Sequence, residues 1–442
     1  MNAATLTTPV MSWGRLTHDA HQVARISDRS QSLPAGPGPA LPFGNGRSYG
    51  DVCLNGGGRL WLMRGLDRFM AFDANTGVLE CEAGVLLDEI ITLALPQGWF
   101  LPVTPGTRFV TLGGAIANDV HGKNHHGAGT FGDHVLSLCL RRSDGQQMVC
   151  TREVSGQWLQ ATIGGLGLTG VIVSARIQLL RVAGPWMDAE SIAFGTLEGF
   201  FALSRESETA WAYNVAWIDC VHGPGHGKSD EARGIFFRAN HAPQGSPPPP
   251  RVSVRALPFT PPISLVNAVS LRAFNALYFH SQRLKAGRRL QHLLPFFYPL
   301  DSLLGWNRIY GPRGFHQYQC VVPQAVQAEA TAELLAVIRQ SGRGSFLAVL
   351  KMFGRRANAG LLSFPMPGTT LALDFPNQGA ATEKLFERLD AVVQQAGGRL
   401  YMAKDARMPR RLFRSGYPAL EAFVRFRDPG ISSTLARRLL DD

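Results

Sequence analysis

The stretch LPFGNGRSYGD, residues 41–51, places three glycines within seven residues around an Arg, a Ser and a Tyr. A backbone needs that density of glycine where it turns tightly or approaches another group closely. Two more glycine-rich stretches follow, PGTRFVTLGGAIANDVHGKNHHGAGTFGDHV at 105–135 and IGGLGLTG at 163–170. One long ligand contacted by several loops would explain such separated clusters, because turns of this kind bind pyrophosphate through backbone N–H groups. Ordinary tight turns of a β-rich domain are the alternative.

The composition is that of a globular protein with two cores. The chain has 442 residues, of which 45% are hydrophobic and 17% charged, and its net charge is +11. That length favours two domains, and the positive charge suits an acidic ligand, a nucleic acid or an anionic membrane surface. Six scattered cysteines without a CxxC pair indicate reduced, buried thiols. We expect no signal peptide and no transmembrane helix, since the N-terminus lacks a basic start with an apolar core and no 18-residue apolar run occurs.

The best-known nucleotide motifs do not fit. GLGLTG at 165–170 matches GxGxxG, but WLQATI before it has helical character and VIVSARIQLL after it reads as a strand. A Rossmann site needs the reverse order. No GxxxxGK[ST] motif occurs, so a P-loop is excluded. A metal site is not expected either: His121 and His125 have i,i+4 spacing, but the stretch lacks an HExxH pattern and a fourth ligand.

The secondary-structure pattern changes near residue 186. Before it, short strands alternate with glycine turns and one amphipathic helix at 86–98, and an Asp-Gly turn joins two strands at 135–150. After it come strands at 212–221 and 232–241, a proline-rich stretch at 242–262 that we expect to be a mobile loop, and two amphipathic helices at 324–342 and 382–398.

Together, GNGRSYGD, PGTRFVTLGGAIANDVHGKNHH, GTFGDHV and GGLGLTGVI resemble the FAD-binding domain of the vanillyl-alcohol-oxidase, or PCMH-type, flavoproteins. The second half is similar to one branch of them, the decaprenylphosphoryl-β-D-ribose 2-oxidases, through YPLDSLLGWNRIYGPRGFHQYQCVVP, LKMFGRR, LALDFP and GGRLYMAKDAR. The resemblance implies an α+β fold. It places a PCMH-type FAD-binding domain at 1–184, a substrate domain with an antiparallel sheet covered by helices at 185–398, and a C-terminal return to the first domain at 399–442.

The resemblance also implies which residues contact FAD. Many relatives carry a histidine bonded to the flavin in the first glycine loop; Tyr49 is found there in this chain, so we expect noncovalent FAD. Alternatively, Tyr49 fills the domain core. The implied cofactor-binding residues are Gly44, Asn45, Gly46, Arg47, Ser48, Tyr49, Gly50, Asp51, Gly106, Thr111, Leu112, Gly113, Gly114, Asn118, His121, Gly170, Ile172 and Tyr401.

The implied chemistry is oxidation of a secondary alcohol, in which the reduced flavin gains negative charge that a nearby cation stabilises. The resemblance assigns this position, or the substrate oxygen, to Lys404; a solvated surface lysine is the alternative. His121 and Tyr49 are both candidates for the proton acceptor. The implied substrate-binding residues are Lys123, Gln317, Gln319, Lys351, Phe353 and Phe364. Some relatives have a cysteine where this chain has Ala372, so thiol-directed reagents should lack a target there.

The branch acts on polyprenyl-phosphate sugars. The resemblance therefore implies oxidation of the C2 hydroxyl of a polyprenyl-phosphoryl-β-D-ribose, followed by reduction of the keto sugar by a separate short-chain dehydrogenase. A peripheral location at the cytoplasmic or periplasmic face of the inner membrane follows. The segment 264–300 fits membrane contact, although a helix with a solvated basic face is the alternative. Its basic and aromatic residues are Arg272, Arg283, Lys285, Arg288, Arg289, Phe274, Tyr278, Phe279, Phe296 and Phe297.

Two other functions remain open at this point. One is an FAD-dependent oxidase or dehydrogenase of a soluble sugar, alditol or aldonolactone, which differs in its substrate. The other is a basic nucleic-acid-binding protein, which would be colourless and would bind DNA with a steep salt dependence. We expect no nucleic-acid partner.

Overall fold

The computed structural model describes residues 6–223, 231–243 and 255–441. The strands up to residue 181 are β1 (Leu6–Pro9), β2 (Ala20–Arg25), β3 (Ala40–Phe43), β4 (Arg59–Leu62), β5 (Phe69–Asp73), β6 (Val78–Glu82), β7 (Trp99–Phe100), β8 (Val135–Arg141), β9 (Gln147–Thr151), β10 (Val171–Gln178) and β11 (Leu180–Arg181). The α-helices in the same part are α1 (Leu87–Ala94), α2 (Leu112–Ala117), α3 (His125–Ala128) and α4 (Gly156–Thr162).

These strands form two main sheets. A four-stranded sheet has the order β1-β2-β4-β3, in which β4 is parallel to both β2 and β3. A five-stranded antiparallel sheet has the order β5-β6-β10-β8-β9, and β7 pairs with β11. The core under the five-stranded sheet packs α1 and α2 through residues such as Leu87, Ile90 and Leu112.

The remaining elements follow residue 185. The strands are β12 (Trp186–Thr196), β13 (Tyr213–Ile218), β14 (Glu231–His241), β15 (Arg255–Ala256), β16 (Gly287–His292), β17 (Leu303–Leu304), β18 (Phe315–Pro323), β19 (Val349–Phe353), β20 (Gly368–Pro376) and β21 (Arg399–Leu400). The α-helices are α5 (Leu197–Ser207), α6 (Ala268–Leu284), α7 (Leu293–Phe297), α8 (Gln327–Gln340), α9 (Ala380–Gln395), α10 (Arg410–Gly416), α11 (Leu420–Val424) and α12 (Thr434–Leu439).

An eight-stranded antiparallel sheet organises this second part, in the order β16-β12-β14-β13-β19-β20-β18-β21. Because successive side chains of a strand point to opposite faces, alternate residues serve two different purposes. One face packs against α5, α8 and α9, through residues such as Phe236, Leu371 and Leu373. The opposite face carries α6, where Phe279 contacts Trp217 and Ile235.

The predicted α+β class is confirmed, with antiparallel sheets and helices in the second part. The strands and amphipathic helices predicted from periodicity are present. The GLGLTG stretch lies between helix α4 and strand β10, the order that excluded a Rossmann site.

Two expectations for the second part need correction. Part of the loop expected at 242–262 is ordered, since Arg255–Ala256 pair with Leu303–Leu304; residues 244–254 lie outside the described residues. The basic segment is not one helix. Helix α6 ends at Leu284, and Gly287 adopts φ +115°. Arg288 and Arg289 then lie on the edge strand β16. Three of the aromatic residues expected at a membrane, Phe279, Phe296 and Phe297, are buried in the protein instead.

The predicted division of the chain at 184/185 and 398/399 stays a prediction, and two contacts bear on it. Strand β21 is the last strand of the eight-stranded sheet, although it follows residue 398. The segment after it returns to the first part: Arg438 makes a two-pronged ion pair with Asp51, with N–O distances of 2.9 and 3.0 Å.

Candidate active site

A cavity of about 970 Å³ lies between the glycine-rich loops of the first part and the eight-stranded sheet, on the side of the sheet that carries α6. This volume is at the upper end of the range for ligand sites, so a large ligand fits. The loops 44–49, 104–123 and 166–172 form one wall. Alternate residues of β18, β19 and β20, together with residues of β13, form the other wall, and the segment 401–404 closes it.

The glycine loops are joined to each other through close backbone approach. A Cβ atom on Gly44 would lie 2.5 Å from the Thr111 hydroxyl, so only glycine allows the first loop to contact the second. Asn45 adds a hydrogen bond from its amide to the Phe109 carbonyl, at 2.7 Å. Thr111 caps α2 by accepting the Gly114 N–H. The two loops therefore form one continuous surface.

The sheet wall follows from strand alternation. In β18, Gln317 and Gln319 face the cavity while Tyr318 and Cys320 enter the core. The same pattern in β20 sends Thr370, Ala372 and Asp374 into the cavity and buries Leu371, Leu373 and Phe375. The sequence TTLALDFP therefore encodes both the packing and the site.

Lys404 lines this cavity, with its Nζ 3.7 Å from the centre of the Tyr49 ring. Burial lowers the pKa of Lys404 to about 7, partly opposed by Asp374. Burial also raises the pKa of Asp374 to about 7. Its Oδ1 accepts a hydrogen bond from the Gln317 amide at 2.5 Å, and its Oδ2 has no partner. Each of the two groups shifts the pKa of the other through its charge.

His121 is the second polar centre. Its ring is surrounded by Phe353, Phe364 and Tyr401, with ring centres 5.0 to 5.5 Å away, and its Nε2 lies 3.1 Å from the Gln319 amide. Burial first, and then the nearby Lys351, hold the pKa of His121 well below its usual value. The imidazole is therefore neutral, and its buried Nδ1 has no partner.

Two further lysines approach the cavity near His121. Burial lowers the pKa of Lys123 to about 7 and that of Lys351 to about 8. Lys123 donates to the Phe296 carbonyl and lies 4.4 Å from the Phe296 ring centre. Lys351 donates to the Gly122 carbonyl at 3.3 Å. Three half-buried lysines in one cavity favour an anionic ligand, because a partly desolvated cation is stabilised by a nearby negative charge.

Most of the predicted site residues line the cavity. They are Gly44, Asn45, Gly46, Arg47, Ser48, Tyr49, Gly106, Thr111, Gly113, Gly114, Asn118, His121, Lys123, Gly170, Ile172, Gln317, Gln319, Lys351, Tyr401 and Lys404. The structure brings these distant segments together, while the roles assigned to individual residues stay predictions.

Five predicted residues lie outside the cavity wall, and we revise their roles. Asp51 pairs with Arg438, and Leu112 is buried in the core. Gly50 allows close contact with the segment after Lys404, since its Cβ would lie 1.5 Å from the Asp405 carbonyl oxygen. Phe353 and Phe364 pack behind His121.

Sequence reasoning missed Asp374. A carboxylate between Leu373 and Phe375 in an otherwise apolar strand was the available signal, because buried strands rarely hold an unpaired charge. His125 contacts the sheet wall: its Nδ1 accepts the Gly354 N–H at 3.2 Å and its ring packs on Phe353.

Comparison with known proteins shows the class to which this chain belongs. The family described as "FAD binding domain" matches residues 22–151. Decaprenylphosphoryl-beta-D-ribose oxidase of Mycolicibacterium smegmatis is 36% identical over 98% of both chains. An uncharacterised Streptomyces coelicolor protein, from the mprA 5' region, is 33% identical over 80% of this chain and 100% of its own length. Mouse L-gulonolactone oxidase is 27% identical over 30% of both chains.

The fold, the cavity and these similarities define an FAD-dependent oxidoreductase with a PCMH-type FAD-binding domain. Within that class, the chain belongs to the decaprenylphosphoryl-β-D-ribose oxidase family. In the part of the chain that the structure describes, no helix has the length and hydropathy to cross a bilayer.

The cavity fits FAD. Four buried polar atoms on its wall lack a protein partner: Arg47 Nε, Asn118 Oδ1, His121 Nδ1 and Asp374 Oδ2. Because buried polar atoms are normally paired, they mark positions where a ligand completes the hydrogen bonding. Gly106 faces open space, since a Cβ there would meet nothing within 4 Å. The residues that would hold FAD are therefore those of the loops 44–49, 106–118 and 166–172.

Proposed function

We propose that this protein oxidises the C2 hydroxyl of a polyprenyl-phosphoryl-β-D-ribose to the 2-keto sugar, the first half of epimerisation to the arabinose form. The observation that carries the proposal is the set of three half-buried lysines, Lys123, Lys351 and Lys404, that line the cavity around a neutral His121. Cations suit the phosphoryl group, and the amides of Gln317 and Gln319 suit sugar hydroxyls. The similarity to the mycobacterial oxidase over 98% of both chains supports this choice.

The reaction removes two electrons and two hydrogens from the alcohol. The C2 hydroxyl gives its proton to a protein base, the C2–H bond breaks, and the C2–O bond becomes a carbonyl. Bound FAD supplies the two-electron acceptor. We assign to the protein the tasks of holding the sugar, accepting the hydroxyl proton and stabilising the negative charge that develops.

His121 is the proton acceptor that we favour. Its imidazole is neutral, and its Nε2, which faces the donor amide of Gln319 at 3.1 Å, is the nitrogen with the free electron pair. Nε2 can accept the hydroxyl proton once the substrate hydroxyl takes the place of that amide. Burial and the nearby Asp374 raise the pKa of Tyr49 well above its usual value, which keeps the phenol protonated at neutral pH. Tyr49 instead supports Lys404 through its ring.

Protonated Lys404 supplies the positive charge in this proposal. Asp374 favours the charged form of Lys404 and so offsets part of the burial cost. Lys404 is placed to bind either the substrate oxygen or the flavin carbonyl edge. The active form then carries a neutral His121 and a charged Lys404.

The wider setting is also a proposal. The flavin is held without a covalent bond, since the first glycine loop presents Tyr49 in place of a histidine. The 2-keto sugar goes to a separate short-chain dehydrogenase, which completes the epimerisation. Because the substrate carries a lipid tail, the enzyme works at a membrane surface, as a peripheral protein.

The test compares substrates under anaerobic conditions, with flavin bleaching as the readout. A polyprenyl-phosphoryl ribose should bleach the flavin, while soluble alditols, free sugars and aldonolactones should leave it oxidised. Bleaching by an aldonolactone or an alditol, with none by the lipid-linked ribose, would replace the proposal with a soluble-substrate oxidase.

A further inference from the structure

We propose that the outer face of α6 docks on an anionic phospholipid bilayer and that the cavity mouth beside it admits the lipid tail of the substrate. This surface, which we call the α6 face, consists of the exposed residues of 268–285. The inference rests on the proposed function for the nature of the tail, while the bilayer contact stands on the surface itself.

The α6 face carries an apolar stripe that nothing in the described chain covers. Val269, Leu277 and Leu284 are 78%, 72% and 89% exposed. Their spacing places them within one side of the helix, opposite Leu271 and Asn275, which are buried against the sheet. Single exposed apolar residues are ordinary, but an aligned set marks an interaction surface.

The apolar surface continues into the segment before the helix. Phe259, Ile263 and Leu265 are 63%, 72% and 52% exposed. Together with the stripe, they place six large apolar side chains in solvent within 26 residues. A soluble protein rarely leaves such a set exposed without a partner.

Charge identifies the partner. Residues 242–300 contain seven Lys or Arg and no Asp or Glu, in a chain that has 33 acidic residues in total. Arg272, Arg283 and Lys285 are exposed on or next to α6, and Arg289 is exposed on the neighbouring strand β16. Apolar residues flanked by cations alone are typical of helices that lie in the interface of an anionic bilayer.

The same helix borders the cavity. Phe274 and Tyr278, one turn apart on the next side of α6, line the cavity, as do Leu303 and Leu304 of β17. The exposed Arg289 lies on the wall as well. The cavity therefore opens beside the apolar stripe, and an acyl-type chain can pass from a bilayer into the cavity along apolar side chains.

The experiment measures co-sedimentation of the FAD-loaded protein with two kinds of vesicle, phosphatidylcholine alone and phosphatidylcholine with phosphatidylglycerol. We expect binding to the anionic vesicles, weakened by salt. Leu277→Glu should lower the anionic-vesicle affinity at least tenfold, and Arg283→Gln by about fivefold. Val154→Glu is the matched control, because Val154 is 62% exposed on the distant β9–α4 turn, and it should bind as the unchanged protein does.

Three results would overturn the docking proposal: no binding to anionic vesicles, equal binding to both kinds of vesicle, or equal loss in the Leu277→Glu and Val154→Glu variants. A Leu277-dependent dimer on gel filtration, with no vesicle binding, would assign the α6 face to a second copy instead. Flavin bleaching by a short-chain, water-soluble polyprenyl-phosphoryl ribose separates the two proposals. The Leu277→Glu variant should be bleached by this substrate as fast as the protein without substitutions. If the protein without substitutions were not bleached, the proposed substrate would be rejected and the docking proposal would stand.

Discussion

The ammonium group of Lys404 lies 3.7 Å from the centre of the Tyr49 ring. The two residues come from opposite ends of the chain, and the Tyr49 N–H also donates to the Ala403 carbonyl at 3.0 Å. A cation above an aromatic face is favourable, more so away from water. The tyrosine inside the glycine-rich loop therefore positions the C-terminal lysine in the cavity.

Replacing Lys404 by Met tests its charge. We expect the Lys404→Met variant to keep its yellow colour and to reduce its flavin about 10²- to 10³-fold more slowly with substrate, as loss of one preorganised charge does elsewhere. Anaerobic stopped-flow absorbance measures the rate. Lys384→Met removes an exposed lysine from α9 and should leave the rate unchanged. If the two variants reduced their flavin at the same rate, Lys404 would have no role in the reaction.

Replacing Asp374 should change the pH dependence of flavin reduction. Burial lowers the pKa of Lys404 to about 7, and Asp374 opposes that shift. If the charged lysine is the active form, the rate of flavin reduction falls as the pH rises through about 7. Asp374→Asn removes the opposing carboxylate, lowers the pKa of Lys404 further and moves this fall to lower pH.

The pH profile of Asp301→Asn serves as the control. Asp301 lines the same cavity but accepts the Arg108 N–H, and Lys404 is not among the groups that shift its pKa. Its profile should match the unchanged protein. A fall at the same pH in the Asp374→Asn variant would show that the two groups do not interact.

Replacement by alanine should strongly lower the stability of the protein at Gly50 and leave it nearly unchanged at Gly106. A Cβ on Gly50 would lie 1.5 Å from the Asp405 carbonyl oxygen, so Gly50→Ala should lower the free energy of unfolding by about 3 kcal/mol or more. Gly106 faces the open cavity, so Gly106→Ala should change the stability of the apoprotein by less than about 0.5 kcal/mol.

FAD titration completes this comparison. In Gly106→Ala the added methyl group occupies cavity space, and we expect FAD affinity to fall about tenfold or more. Thermal unfolding of the apoprotein and fluorescence titration with FAD give the two readouts. Unchanged FAD affinity in Gly106→Ala would show that the loop at 106 does not contact the cofactor.

Replacing Ala372 by cysteine should make the protein reactive towards thiol-directed reagents. Its side chain lines the cavity, whereas burial raises the pKa of both Cys53 and Cys320 to about 12, which leaves them poor nucleophiles. Thiol-directed reagents should leave the unchanged protein active. Ala372→Cys should become inactivated with one added label on that residue, as read by mass spectrometry. Labelling elsewhere at the same rate would contradict the placement.

The sequence predicted the glycine loops and most of the cavity wall because the resemblance spans nearly the whole chain. It did not predict Asp374, since the electrostatic influence of this carboxylate on Lys404, thirty residues later, arises only in the folded chain. Asp51 and Gly50 were assigned to the cofactor for the same reason: their contacts with Arg438 and Asp405 come from the far end of the chain.

The basic segment 264–300 was the least predictable region. Its composition suggests one amphipathic helix, but Gly287 takes a positive φ and β16 joins the edge of the sheet. Pairing with a strand a hundred residues earlier cannot be read from local periodicity. Phe296 and Phe297, which follow β16, are buried in a hydrophobic core, while Leu277 and Leu284 of α6 are exposed.

The most direct test of the account is an anaerobic titration of the purified yellow protein with polyprenyl-phosphoryl ribose. We predict that one equivalent of substrate bleaches one equivalent of flavin, that the sugar product is two mass units lighter through a ketone at C2, and that acid precipitation then releases the pigment into solution. A protein that is colourless and takes up no added FAD, or whose flavin stays oxidised with this substrate, would contradict it.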